Sequence, residues 1–169
     1  QLMDIMEAMR TRHSVRQYEK KPLTKEIISE LQAEIEACNR ESGLHIQLVT
    51  DEPRAFDGFM AHYGKFDGVT NYIAMIGKKR PALEETCGYY GERLVLKAQQ
   101  MGLNTCWVAM TFSKIKSAYT LGAGEKLCIV IALGYGKNQG VSHKSKPLTE
   151  VTKAVNPPRW FLGGAKAAL

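Results

Sequence analysis

Apolar positions along the chain follow two rhythms, and the alternation between them outlines a fold. Met3, Ile5, Met6 and Met9 recur at roughly helical spacing, which predicts a short helix ending near Arg10. Residues 13–23 then read as extended, closed by Pro22. Thr24 is the expected N-cap of a long helix, with Glu26 in its first turn. Ile27, Ile28, Leu31, Ile35 and Cys38 stripe one face of that helix, which should end within 39–43. Residues 45–50 alternate and predict a strand. Residues 52–68, with Gly58, Gly64 and Gly68, predict a short helix and a loop. Residues 70–77 are nearly all apolar and read as a central strand. Pro81 suits the first turn of the next helix, which should stop at a C′ glycine, Gly102. Two glycines inside it, Gly88 and Gly91, cost about 1 kcal/mol each relative to alanine, which implies close approach of a backbone or a ligand. Residues 104–110 predict a third strand, and 113–119 a short helix capped by Ser113. Residues 126–136 are continuously apolar and predict a strand buried on both faces. A polar loop then runs to Lys146, and a helix is expected after Pro158. Strands alternating with helices imply a sandwich, α/β or α+β, around a sheet of four or more strands.

Composition narrows the class. A chain of 169 residues fits one domain, 1–169, able to bury a core without staples. Met3 reads as the natural start, with Gln1 and Leu2 an addition. No apolar run reaches the roughly 18 residues of a membrane span, and no basic-then-apolar leader pattern opens the chain. The 4 cysteines are far apart, without a C-x-x-C pair, which argues against a zinc site and for a reduced, cytoplasmic protein. The net charge of +6 is spread along the chain, so it points to small anionic ligands as readily as to nucleic acid.

Candidate chemistry begins at Arg12, Ser14 and Arg16. In an extended segment, side chains two residues apart share a face at steps of about 6.6 Å. Two guanidinium forks and a hydroxyl in such a row suit a phosphate monoester. On spacing alone a basic surface strand is the better fit, because arginine pairs are common at sheet edges. No G-x-x-x-x-G-K-[ST] loop and no G-x-G-x-x-G after a first strand is present, so a phosphate would be held by side chains. Residues 142–146, SHKSK, form a second basic cluster able to complete such a site or simply to meet solvent. The strand end at residues 106–110, CWVAM, offers free backbone N–H groups to a flat heterocycle, while Trp107 suits a core position as well. His13, His45, His62 and His143 show no triad or metal spacing. Any redox chemistry would therefore belong to a cofactor.

Three ordered blocks resemble the FMN-dependent nitroreductase family. The first, MEAMRTRHSVRQYEKKPLTKEIISEL, matches its short helix, R-x-S-x-R, aromatic residue and proline at Arg12, Ser14, Arg16, Tyr18 and Pro22. The second, GERLVLKAQQMGLNTCWVAMTF, is similar to its central helix running through a G-L-[GN]-[ST]-x-W turn into a strand. The third, VIALGYGKNQGVSHKSKPLTEV, is similar to its last core strand, G-Y turn and basic-Pro-Leu stretch. The resemblance implies an α+β fold with a central mixed, mostly antiparallel sheet of four to five strands flanked by helices. It implies that Arg12, His13, Ser14 and Arg16 hold the FMN phosphate and ribityl chain. Backbone at Val108, Ala109 and Met110 would meet the N5 and O4 edge of the flavin, and His143, Lys144 and Ser145 would return to the phosphate. It further implies a homodimer with each flavin at the interface and a ping-pong reaction. NADH or NADPH reduces the flavin, which then reduces a nitro compound, quinone or similar small acceptor. Chemistry at flavin N5 needs no catalytic side chain, no metal, no nucleic acid and no membrane.

Two departures accompany the resemblance. Ser145 stands where the family often has a basic residue two before the proline, so Lys144 or Lys146 would substitute. The family's P-S-x-x-N-Q segment is kept only loosely, as Ser42, Gly43 and Gln47, and a tail beyond residue 169 carrying Asn and Gln is expected to supply it. Two alternatives stand beside the oxidoreductase: a flavin-binding module without turnover, and a basic nucleic-acid binder, for which no aromatic-rich sheet motif or helix-turn-helix pattern is visible.

Overall fold

The computed structural model describes residues 3–169, so the reading of Gln1 and Leu2 lies outside the described residues. Its elements run α1 (Ile5–Thr11), α2 (Lys25–Ser42), β1 (Gln47–Val49), a 3-10 turn at Pro53–Ala55, α3 (Phe59–Tyr63) and β2 (Asn71–Lys78). They continue with α4 (Leu83–Gln100), β3 (Asn104–Val108), β4 (Glu125–Gly134), α5 (Leu148–Val151) and α6 (Arg159–Ala167). The strands form one sheet in the order β1-β2-β4-β3, with every neighbouring pair antiparallel. Among the described residues, parallel pairing appears only as isolated bridges, Ser14 to Thr105 and Gln17 to Asp67. The α+β sheet flanked by helices is the architecture the resemblance implied.

The period-2 rule sorts the core into two layers. Ile73 and Met75 of β2 and Ile131 and Leu133 of β4 face the helices, where Leu31, Ile35 and Cys38 of α2 and Leu83, Leu94 and Val95 of α4 cover them. Tyr72, Ala74, Val130 and Ala132 face the other way, toward an irregular layer built from Val15, Tyr18, Phe56, Phe66 and Phe112. Phe56 meets Phe66 edge-on at 5.2 Å between ring centroids. This second layer has no long helix, so it leaves the ends of β3 and β4 open to the segment that follows α1.

Most helix boundaries follow their caps. Asp4 accepts from the Glu7 N–H at 2.9 Å, and Thr24 accepts from the Ile27 N–H at 3.3 Å. Gly43 closes α2 in the left-handed conformation, φ 71°. Four expectations need correction. Pro81 lies outside α4, because Ala82, left-handed at φ 60°, is its N-cap. Residues 113–119 form no helix: the Ser113 N–H donates to the Ala55 carbonyl at 2.7 Å, so Ser113 fastens the 3-10 turn instead of capping, and Ile115, Ala118 and Tyr119 pack on the core. The third strand stops at Val108, two residues short of its expected end. Finally, β4 is buried on both faces only from Val130 onward, because β3 pairs with that half alone and residues 125–129 lack a neighbour on that side.

Candidate functional site

Arg12 ends α1 as its C-cap and turns the chain extended, with its N–H donating to the Ala8 carbonyl. The segment is then stapled along its length. The Val15 N–H donates to the Thr105 carbonyl at 3.0 Å, the Asp67 N–H to Arg16 at 3.0 Å, and the Tyr18 N–H to Asp67 at 2.9 Å. The Glu19 N–H reaches Tyr135, and Lys137 returns a bond to Gln17. Val15 and Tyr18 are buried as anchors, which turns Ser14, Arg16 and Gln17 outward. Gly140 brings the 137–146 loop onto this segment. Its φ is +74°, and a Cβ there would sit 2.7 Å from His13 Cβ and 2.9 Å from the Ser14 carbonyl. The glycines after β4 thus serve close packing against residues 13–15.

The basic residues open onto two clefts at opposite ends of the segment. At the first, of about 400 Å³, Arg12 and His13 meet Ser142, His143 and Ser145. Lys144 is exposed and does not line it. Ser145 Oγ lies 3.3 Å from His143 Nδ1 and donates to the Leu169 carbonyl. Arg12 Nη1 is buried without a hydrogen-bond partner, and its Nε stands 3.8 Å from a carboxylate oxygen of Glu92. A buried guanidinium nitrogen left unpaired carries a desolvation cost that an anion would remove. None of the described residues lining this cleft is acidic.

At the second cleft, of about 510 Å³, Arg16 and Lys65 face the open end of β3, residues 107–111, with Tyr63 and Phe66 opposite. Val108 is buried, whereas Met110 is 79% exposed. Among the described residues, neither the Met110 nor the Thr111 N–H has an acceptor. Among the described residues, no carboxylate, histidine or thiol side chain lines this cleft. Ser14, between Arg12 and Arg16 in the chain, is exposed, and the Cys106 thiol, buried nearby, donates to the Trp107 carbonyl at 3.5 Å. Burial pushes that thiol up, while Arg16, Ser14 and Arg12 pull the other way. Arg12 thus lines the first cleft, Arg16 the second and Ser14 neither, so the three form an extended row and not a single three-sided cradle.

Two contributors escaped sequence reasoning. Glu92 of α4 approaches Arg12 and also accepts from the Trp107 indole N–H at 3.1 Å. Lys65 enters the second cleft from the loop after α3. Neither lies near the basic motifs in sequence, so only the fold reveals them. Conversely, Ser42, Gly43 and Gln47 serve local structure. Ser42 Oγ donates to Cys38 and accepts from Leu44, Gly43 caps α2, and Gln47 exchanges hydrogen bonds with Thr120. His45 pairs with Glu125 at 2.9 Å, and no metal-binding group of three or more His, Cys, Asp or Glu exists among the described residues. Nor is any described helix long and apolar enough to cross a membrane.

Comparison with known proteins bears on the family and the fold. Residues 4–169 match the family profile described as "Putative TM nitroreductase". No curated protein matches. Among solved structures, a nitroreductase family protein from Clostridium difficile superposes with a TM-score of 0.67 at 16% identity, covering 89% of this chain and 98% of that one. A protein from Parabacteroides distasonis, described as "Putative NADH dehydrogenase/NAD(P)H nitroreductase", superposes with a TM-score of 0.67 at 22% identity over 88% of this chain and 96% of its own. A "putative nitroreductase in complex with fmn" from Desulfovibrio desulfuricans gives 0.67 at 19% identity over 92% and 99%. At such identities the structural likeness establishes the fold, and the profile spanning residues 4–169 establishes the family: the chain belongs to the nitroreductases.

Proposed function

We propose that the protein is an FMN-dependent NAD(P)H oxidoreductase that reduces nitro compounds, quinones or similar small acceptors. Its family membership and the FMN held by a structural neighbour support that reading. The observation that carries it is the buried, unpartnered Arg12 Nη1 at a cleft whose described lining holds no acid. The donor set fits FMN. Arg12 and His13, with His143 and Ser145 from the returning loop, would hold the phosphate, and the exposed Lys144 adds positive charge nearby. Ser14 would hold the ribityl chain, and backbone at Val108, Ala109 and Met110 would meet the ring edge, with Arg16 beside it. When bound, FMN supplies the two-electron carrier that serves NAD(P)H and acceptor in turn, in ping-pong order.

The chain's own part is to bind, orient and exclude water. Arg16 and Lys65 make the second cleft positive, which favours electron-rich or anionic groups there. Phe66 and Trp107 wall off part of it from solvent. Large apolar side chains around the clefts are exposed, among them Tyr63 and Met110, with Phe59 close by. Their covering by a second copy accounts for them, so the homodimer with flavin at the interface belongs to the same proposal. We place it in the cytoplasm, where NAD(P)H and reduced thiols coexist.

The test is a fluorescence titration of the full chain with FMN and with riboflavin, which lacks the phosphate. FMN should bind at least about tenfold tighter, as expected when a charge-assisted hydrogen bond is added. Arg12→Ala should erase most of that difference while leaving the fold intact. Equal affinity for the two ligands, or binding of neither, would overturn the assignment of the phosphate to Arg12.

A further inference from the structure

Consecutive residues of a regular strand point to opposite faces of its sheet. β4 breaks this rule at one place. Cys128 and Ile129 both pack against the helix layer, whereas Leu127 and Val130 pack against the other. The register explains why: Met75 opposes Ile129 and Ile76 opposes Leu127, so Cys128 is the extra residue of a β-bulge. The bulge aims the Cys128 side chain at α4. There it shares the helix-side layer and one cavity wall with Cys87. This stretch of β4 lies in the half that β3 leaves unpaired.

The two sulfurs line one cavity of about 320 Å³, shared with Glu84, Gly88, Trp107 and Ile129. Gly88 is exposed at its mouth, and a Cβ there would touch nothing within 4 Å, so the entrance is unobstructed. Access to the sulfurs is unequal. Cys128 is half-buried at the cavity wall, while Cys87 is buried behind it. Burial, reinforced by the neighbouring Cys128, pushes the Cys87 thiol up to about 12, which keeps it protonated and inert on its own. One reachable thiol backed by one sheltered thiol is the arrangement of a sensing and a resolving cysteine.

We propose that Cys87 and Cys128 are a peroxide-responsive modification site, in which Cys128 is oxidised first and Cys87 resolves it to a disulfide joining α4 to β4. The Cys128 sulfur attacks one oxygen of hydrogen peroxide. The O–O bond breaks, a sulfenic acid forms, and the departing hydroxide leaves as water with the thiol proton. The Cys87 sulfur then attacks the Cys128 sulfur. The S–S bond forms, the S–O bond breaks, and the hydroxyl departs as a second water with the Cys87 proton. Peroxide gains two electrons and the thiol pair loses two. A small dithiol reverses the step by exchange. Cys38 and Cys106, both buried, take no part.

The experiment uses the full chain, reduced, freed of reductant and exposed to hydrogen peroxide, then denatured in N-ethylmaleimide, digested and mapped by mass spectrometry. Cys38 and Cys106 should stay alkylated. Cys87 and Cys128 should leave the alkylated pool together and return as one cross-linked peptide lighter by two hydrogens. Dithiothreitol should restore both. Tryptophan emission should fall on oxidation and recover on reduction, because the disulfide forms beside Trp107. In Cys87→Ser, dimedone should label Cys128; in Cys128→Ser, Cys87 should remain alkylatable. Wild-type protein in which both cysteines stay alkylated, or in which Cys128 advances to sulfinic acid while Cys87 stays free, would overturn the proposal without recourse to either variant.

Discussion

Arg12 and Glu125 show how differently two charged side chains are used. Arg12 keeps a buried nitrogen without a partner, whereas one carboxylate oxygen of Glu125 has two donors. It accepts from His45 at 2.9 Å and from the Gly122 N–H at 2.6 Å, and these bonds hold its carboxyl below the usual carboxylate range. A carboxyl depressed in the folded state adds stability above its unfolded pKa and loses it as pH falls through the folded value. Glu125→Gln should therefore lower the melting temperature at neutral pH, and the gap to wild type should close as the solution is acidified below the ordinary glutamate range. Thermal melts across that range check it; a gap that widens on acidification would contradict the assignment. At this scale the sequence was legible where chemistry was local. Arg12, Ser14 and Arg16 were found because they share one short segment, although strand alternation does not hold along it: Arg16 and Gln17 both face out between buried Val15 and Tyr18. Glu92 was not legible, because it stands eighty residues from Arg12 and only the packing of α4 brings them together. Lys144 could not be told from His143 and Ser145, since the path of a loop decides which of three adjacent side chains faces the cleft.

At the scale of elements, the two internal glycines of α4 separate into different roles. A Cβ at Gly91 would lie 2.2 Å from the Trp107 ring, so that glycine makes room for the indole. A Cβ at Gly88 would meet nothing. Gly91→Ala should destabilise the protein by about 1–3 kcal/mol through overpacking. Gly88→Ala should gain up to about 1 kcal/mol from helix propensity alone. Urea denaturation of the pair reads both signs, and a neutral Gly91→Ala would show that Trp107 has room to move. The cost of both glycines was visible in sequence; the beneficiary of neither was. Long periodic helices and apolar strands announced themselves, and their caps fixed the ends. Residues 113–119 did not, because a serine before a mixed segment reads as a cap whether its N–H starts a helix or, as here, fastens a distant carbonyl. The bulge at Cys128 was likewise hidden, since a run apolar on both sides gives no alternation to interrupt.

Across the whole molecule, the exposed apolar side chains call for a partner. The stripe of Ile5, Met6 and Met9 that predicted α1 stays about half exposed in one chain, and only Ala8 of that helix is buried. Phe59 at 82%, Met110 at 79% and Trp160 at 76% exposed add to it. Sedimentation equilibrium should report a mass near twice 18.8 kDa, and charged substitutions at Met6 and Met9 should shift it toward the monomer. A monomer at micromolar concentration with these faces intact would contradict the dimer. The central claim, that the row from Arg12 to Met110 cradles a working flavin, is tested most directly by one spectrum. The purified full chain, supplied with FMN and freed of excess, is recorded in the visible range without oxygen, before and after NADH or NADPH. The account predicts a flavin absorption that stays with the protein and bleaches on addition of the nicotinamide. A protein that retains no flavin, or that holds one unchanged by either donor, would contradict it.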